Sequence, residues 1–176
     1  SRPVTISSSS QGVTAASGFA ASGVVAGLKS SGAPDLALVR NLGPTYAAAG
    51  VFTSNRVFAA PVGWSRAAVA DGRLEAVVLN SGGANACTGE PGRQDTARTA
   101  VLVAEQLDCD TSDVAVCSTG LIGARLPMDK IEAGVLDAVS ALDPTGGAAA
   151  AGAIMTTDTV PKTSSATGQG GYVVGG

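Results

Sequence analysis

Short apolar runs broken by turn residues dominate the first third of the chain. Between Gly18 and Thr53, GFAASGVVAGL is followed by a turn at SSGAPD, then LALV, then the turn NLGP and YAAAGVF. That spacing predicts three strands of a β-rich layer. Val57 to Ala70 reads as a short helix stopped by Asp71-Gly72. LEAVVLN, Leu74 to Asn80, is a dense apolar run that predicts a strand buried on both faces.

Beyond Gly92 the period lengthens to that of a helix. Ala97, Ala100, Val101, Ala104 and Leu107 fall on one stripe, with Arg93, Asp95, Arg98 and Glu105 off it. VAVC, Val114 to Cys117, reads as another buried strand. Pro127 opens a second helix with Ile131, Val135, Ala138 and Leu142 inward. An Ala-rich helix spans 146–154, and GQGGYVVGG opens a last strand that ends on Gly-Gly, as in a fragment of a longer chain. Strand and helix alternate after an all-β start, which predicts an α/β domain with helices layered on a sheet. The Ser-rich first dozen residues are expected to be mobile, leaving residues 13–176 as a single α/β domain.

Composition narrows the classes of function. With 176 residues the chain fits one domain, burying roughly 70% of the surface its unfolded form exposes. Charged residues make up 14% and hydrophobic ones 45%, the opposite of a disordered chain. So light a surface charge suggests that another chain covers much of the domain. The net charge of -3 and the scattered 11 basic residues argue against nucleic acid. No apolar stretch approaches the ~20 residues that span a bilayer, and the N-terminus lacks the apolar run of a secretory signal. Cys87, Cys109 and Cys117 form no CxxC pair and read as free thiols in a reducing compartment, packed as small buried hydrophobes.

The chain contains no histidine. A Ser-His or Cys-His nucleophile pair is therefore excluded, and any enzymatic base must be a lysine, a carboxylate, an α-amino group or a group on another chain.

Three polar segments follow predicted strands or helices, where sites collect on α/β folds. LNSGGANACTGEPG, Leu79 to Gly92, is neither a P-loop nor a GxGxxG turn; it reads equally as a flexible turn or as a polar pocket shaped by Asn80 or Asn85. In VCSTGLIGARLPMDK, Val116 to Lys130, a strand runs directly into Ser118-Thr119-Gly120. Glycine can turn an N–H toward a ligand, and the neighbouring hydroxyl supplies a second donor, the pair a tetrahedral oxyanion requires; the same tripeptide is also ordinary turn chemistry. In AIMTTDTVPK, Ala153 to Lys162, four polar side chains from Thr156 to Thr159 could bind a small amino acid or satisfy the carbonyls of a helix end.

Four segments in this order, AAGVFTSNRVFAAPV, LNSGGANACTG, VAVCSTGLIGARLPMDK and AIMTTDTVPK, resemble the ornithine acetyltransferase (glutamate N-acetyltransferase) family of arginine biosynthesis. The resemblance runs from about Val13 to the C-terminus. It implies a precursor that cuts itself before a Thr, and this chain resembles the α chain, the nucleophilic Thr being the first residue of the β chain. By position, Thr119 and Gly120 match the family's oxyanion hole and Thr156 a substrate-binding position.

The implied fold is a layered α/β sandwich similar to the Ntn hydrolases, shared with the β chain. The implied reaction is ping-pong transfer of the acetyl group from N-acetylornithine to glutamate through an acetyl-Thr, with N-acetylglutamate synthesis from acetyl-CoA in some members. The implied assembly is a cytoplasmic heterotetramer of two α and two β chains, with no cofactor and no metal. An N-terminal Thr can use its own α-amine as base, which fits the missing histidine. Two other readings explain the composition: a non-catalytic structural or binding subunit, and a same-family acetyltransferase of a secondary pathway.

Overall fold

The computed structural model describes residues 5–7, as backbone, and 11–176. Eleven regular elements follow in chain order: β1 (Thr5–Ser7), β2 (Phe19–Val24), β3 (Leu36–Asn41), α1 (Ala60–Ala68), β4 (Ala76–Asn80), α2 (Gly89–Leu107), β5 (Val114–Ser118), α3 (Met128–Ser140), α4 (Gly147–Ala153), β6 (Ser165–Thr167) and β7 (Val173–Gly175). The main sheet has the order β2-β3-β4-β5, and a small antiparallel sheet has the order β1-β6-β7. In the segment expected to be mobile, residues 1–4 and 8–10 lie outside the described residues; Thr5–Ser7 pairs with Ser165–Thr167.

Alternation along the strands assigns the two faces of the main sheet. Leu36, Leu38, Val78, Val114 and Val116 point to one side, where they pack with Ala100, Val103, Ala104 and Leu107 of α2 and Ile131, Val135 and Ala138 of α3. Ala21 and Ala37 point to the other, against Ala150 and Ala153 of α4. Small side chains let α4 approach closely: a Cβ on Gly23 would lie 2.1 Å from the Ala149 carbonyl oxygen. Helices thus layer both faces, the α/β sandwich the sequence led us to expect. On the second face α4 packs over β2 and β3, with Leu79 of β4 partly buried against the same cluster.

β5 would be an open edge, with ladder groups unpaired, but α1 closes it. The Ser65 hydroxyl donates to the Val116 carbonyl oxygen at 2.6 Å and accepts from the Val116 N–H at 2.9 Å. The Trp64 indole N–H donates to the Val114 carbonyl oxygen at 2.8 Å. One helix turn therefore replaces a fifth strand.

Several expectations need correction. YAAAGVF forms no strand, only an isolated bridge between Ala47 and Arg73; β3 and β5 already occupy both sides of β4. The inward face of α2 is rotated from the apolar stripe: Asp95, Thr96 and Thr99 are buried, while Ala97 and Val101 are half-buried. Its polar groups are satisfied internally, Asp95 by a two-pronged pair with Arg125 at 2.7 and 3.0 Å and Thr99 by the Asp95 carbonyl oxygen. Cys87 and Cys117 are exposed. Cys87 sits in the turn before α2 with φ +57°, and Cys117 alternates with the inward Val116 onto the opposite sheet face.

Candidate active site

Strand direction brings the site together. β4 and β5 run parallel with Asn80 opposite Ser118, so both of their C-terminal loops leave the same end of the sheet. A parallel pair needs a crossover, and α2 supplies it. β3 is antiparallel to β4, with Leu36 opposite Asn80, so the loop before β3 arrives at that end too. The Ser81 hydroxyl donates to the Ala153 carbonyl oxygen at 2.5 Å, which fixes the end of α4 beside them.

These four segments enclose an open cleft of about 560 Å³. It is lined by Leu28 to Ser31, Ser81 and Gly82, Thr119 to Leu121, and Thr156 and Thr157. Thr119 and Gly120 from one stretch of sequence and Thr156 from another line one and the same cleft. Among the described residues, Lys29 is the one charged side chain in its lining.

The turn after β5 is rigidly built. The Thr119 N–H donates to the Asn80 carbonyl oxygen at 2.9 Å, and the Thr119 carbonyl oxygen accepts from the Gly83 N–H at 3.1 Å. The Ser118 hydroxyl donates to Asn80 Oδ1 at 2.5 Å, and Asn80 Nδ2 donates to the Gly83 carbonyl oxygen at 2.9 Å. Gly120 has φ +135°, and a Cβ there would lie 2.7 Å from the Gly83 nitrogen, so only glycine fits. Among the described residues, neither the Thr119 hydroxyl nor the Gly120 N–H has a protein partner. One side-chain donor and one backbone donor on adjacent residues thus stand unused at the cleft, the pairing that can stabilise a developing oxyanion.

Neither Asn80 nor Asn85 lines the cleft. Both are buried as internal braces: Asn85 Nδ2 donates to the Gly92 carbonyl oxygen at 2.8 Å and to the Thr96 hydroxyl at 2.9 Å, and its Oδ1 accepts from the Thr88 hydroxyl. Next to Thr156, the Asp158 carboxyl pairs with the Lys162 ammonium, which holds it below the usual carboxylate range.

Lys29 and Ser81 were not legible as site residues. A signal for the first existed in its neighbour: Asp35 stands directly before an apolar strand and is fully buried. Its carboxylate accepts the backbone N–H groups of Ala26 at 2.7 Å, Leu28 at 2.5 Å and Lys29 at 2.9 Å, folding the loop that carries Lys29 into the cleft wall. A separate apolar recess of about 300 Å³, lined by residues including Phe58, Trp64, Cys87 and Arg93, contains none of the expected site residues. Among the described residues, no group of three His, Cys, Asp or Glu side chains could hold a metal ion, and no helix is long and apolar enough to cross a membrane.

Fold and site together define an α/β sandwich with a hydroxyl-lined, amide-lined cleft at the strand ends, the kind of site that can receive an acyl group. Residues 20–176 match the ArgJ family, and the chain belongs to it. It is 63% identical over 164 residues to the arginine biosynthesis bifunctional protein ArgJ of Streptomyces avermitilis, covering 93% of this chain and 43% of that protein. The Mycobacterium leprae protein of the same name is 58% identical over 173 residues, 94% of this chain and 42% of that one. The chain therefore spans less than half the length of these curated relatives.

A crystal structure of ornithine acetyltransferase from Mycobacterium tuberculosis, in complex with ornithine, superposes with a TM-score of 0.96 at 55% identity, covering 99% of this chain and 93% of that one. The ArgJ structure from Bacillus halodurans gives a TM-score of 0.88 at 36% identity, with the same coverage of 99% and 93%.

Proposed function

We propose that this chain is the α-chain portion of a bifunctional arginine-biosynthesis acetyltransferase that moves the acetyl group of N-acetylornithine to glutamate. The observation that carries the reading is the pair of unused donors, the Thr119 hydroxyl and the Gly120 N–H, on one cleft with Thr156.

In the proposed reaction the nucleophile is the N-terminal Thr of the β chain, cut from the same precursor. Its hydroxyl attacks the acetyl carbonyl of N-acetylornithine while its α-amine takes the proton. The carbonyl oxygen becomes an oxyanion, which receives hydrogen bonds from Thr119 and Gly120. Collapse breaks the amide C–N bond, the proton passes to the leaving nitrogen, and ornithine departs. The amine of glutamate then attacks the acetyl ester through a second oxyanion in the same place, releasing N-acetylglutamate and restoring the Thr hydroxyl. Thr156, in the lining of the same cleft, contacts the amino-acid substrate. The absence of histidine is no obstacle to this route.

The partner chain accounts for surface features of the domain. Leu121 and Ile122, beside the cleft, are 79% and 69% exposed, and Cys117 is exposed on the sheet face at the β5 edge. Both suit burial by the β chain in a heterotetramer of two α and two β chains in the cytoplasm.

The deciding experiment assays the purified full-length protein with N-acetylornithine and glutamate, with and without acetyl-CoA, and measures intact masses. Ornithine release, an acetylated second chain beginning with Thr, and glutamate as acceptor are expected. Absence of any acetylated chain would instead favour the structural-subunit reading. Transfer to another amino acid in preference to glutamate would favour a same-family transferase of a secondary pathway.

A further inference from the structure

We infer that Lys29 is a positioning residue that holds the Thr156 segment of the cleft at a fixed span from Thr119 and Gly120; its kinetic consequence rests on the function proposed above. The Lys29 ammonium donates to the Met155 carbonyl oxygen at 2.5 Å and to the Pro34 carbonyl oxygen at 3.0 Å. The carbonyl of Met155 and the N–H of Thr156 belong to one planar peptide unit, so fixing that oxygen fixes the start of Thr156. At the other end of the side chain, the backbone N–H of Lys29 is held by the buried Asp35 carboxylate. Lys29 is therefore anchored at its base and at its head, with the cleft beside it.

A neutral side chain could not replace it. Two carbonyl oxygens from different segments converge on the ammonium, and among the described residues no other charged side chain lines the cleft. Charge-assisted hydrogen bonds are about twice as strong as neutral ones. The cross-tie from Ser81 to Ala153 stops two residues before Met155. The Asp158 carboxylate, which accepts from the Thr156 backbone and pairs with Lys162, ties this segment only to itself.

The test uses the full-length protein with Lys29→Met, which keeps an unbranched apolar stem, and Lys29→Arg, which keeps the donors. Hydrogen exchange is expected to speed up over residues 153–160 in Lys29→Met while protection in β4 and β5 is kept. In the acetyl-transfer assay, KM for N-acetylornithine should rise about tenfold with kcat within about threefold, the pattern of lost substrate positioning rather than lost transition-state contact. Lys29→Arg should bring KM back to within about threefold of wild type.

Unchanged exchange over 153–160 would overturn the inference whatever the kinetics. Loss of protection in β4 and β5 as well would make Lys29 a general folding residue and also overturn it. An inactive wild type with faster local exchange in Lys29→Met would instead reject the acetyl-transfer reading and leave the strut standing.

Discussion

The N–H of Thr119 donates to the carbonyl oxygen of Asn80 at 2.9 Å, tying the turn after β5 to the end of β4. That bond uses the Thr119 amide for structure, while among the described residues its hydroxyl and the next residue's N–H have no protein partner.

Replacing Thr119 by Ala should therefore lower kcat by about 10²- to 10³-fold, the usual loss for one oxyanion donor, with KM little changed. Thr119→Ser should retain most activity. Both variants must be checked for intact self-cleavage by mass before kinetics are read. A fully processed Thr119→Ala enzyme within threefold of wild-type kcat would remove this residue from the oxyanion hole.

Gly120→Ala tests the backbone donor through geometry. The added Cβ would lie 2.7 Å from the Gly83 nitrogen at φ +135°, so the turn must shift and carry the N–H away from its position. Activity should fall by at least the loss seen for Thr119→Ala. Near-normal kcat in a folded Gly120→Ala protein would show that the N–H plays no part.

Ser65→Ala should destabilise the domain. It removes both bonds that a buried hydroxyl makes to the edge of β5 and leaves the Val116 N–H and C=O unpaired, at a cost of about 1–3 kcal/mol. Urea unfolding of the full-length protein should show a lower midpoint with an unchanged slope. Replacing Ser65 by Thr, which keeps the hydroxyl, should cost less. An unshifted midpoint in Ser65→Ala would mean that the edge finds another cap.

Asp35→Ala should be costlier, because three backbone N–H groups lose one charged acceptor in a fully buried position. Hydrogen bonds to charged groups are worth about 1.5–3 kcal/mol each, though not additively. Hydrogen exchange should accelerate first at Ala26, Leu28 and Lys29. Protection retained at those three amides would argue against the loop's dependence on Asp35.

Cys109 supplies a pH-dependent readout. Burial, and then the nearby Glu75 carboxylate, push its thiol up to about 11. Only the thiolate reacts with iodoacetamide, so its labelling rate should keep climbing about tenfold per pH unit from pH 7 to 10, without the plateau that an ordinary thiol reaches near pH 9. The raised value also means that the unfolded chain loses this proton first, so its contribution to stability is present below pH 9 and lost as pH rises toward 11. A plateau in Cys109 labelling below pH 9.5, followed by peptide mass spectrometry, would contradict this.

Much of the fold was legible because periodicity reports which face of an element is apolar. LALV and VAVC read as strands and form β3 and β5, and Gly72, at φ +80°, ended the α1 region where Asp-Gly marked a stop. The Ser118-Thr119-Gly120 segment was legible as a turn after a strand, and as more than a turn only through the family resemblance. Periodicity has no access to polar partners far away in the chain. It placed Asp95 outside the apolar stripe and so in solvent, whereas Arg125, 30 residues on, lets that carboxylate be buried.

The amino-acid sequence by itself determined most of the helices and central strands, and the two stretches that carry Thr119-Gly120 and Thr156. Those are local properties, set by side-chain size, alternation and backbone freedom. Only the tertiary structure decided that the stretches share one cleft, because that depends on β4 and β5 being parallel and on the Ser81 tie to the end of α4. It also decided the role of Lys29, whose ammonium meets Met155 across 126 residues. No local pattern encodes such a contact; it exists because a buried carboxylate folds one loop toward the carbonyl that another helix leaves exposed.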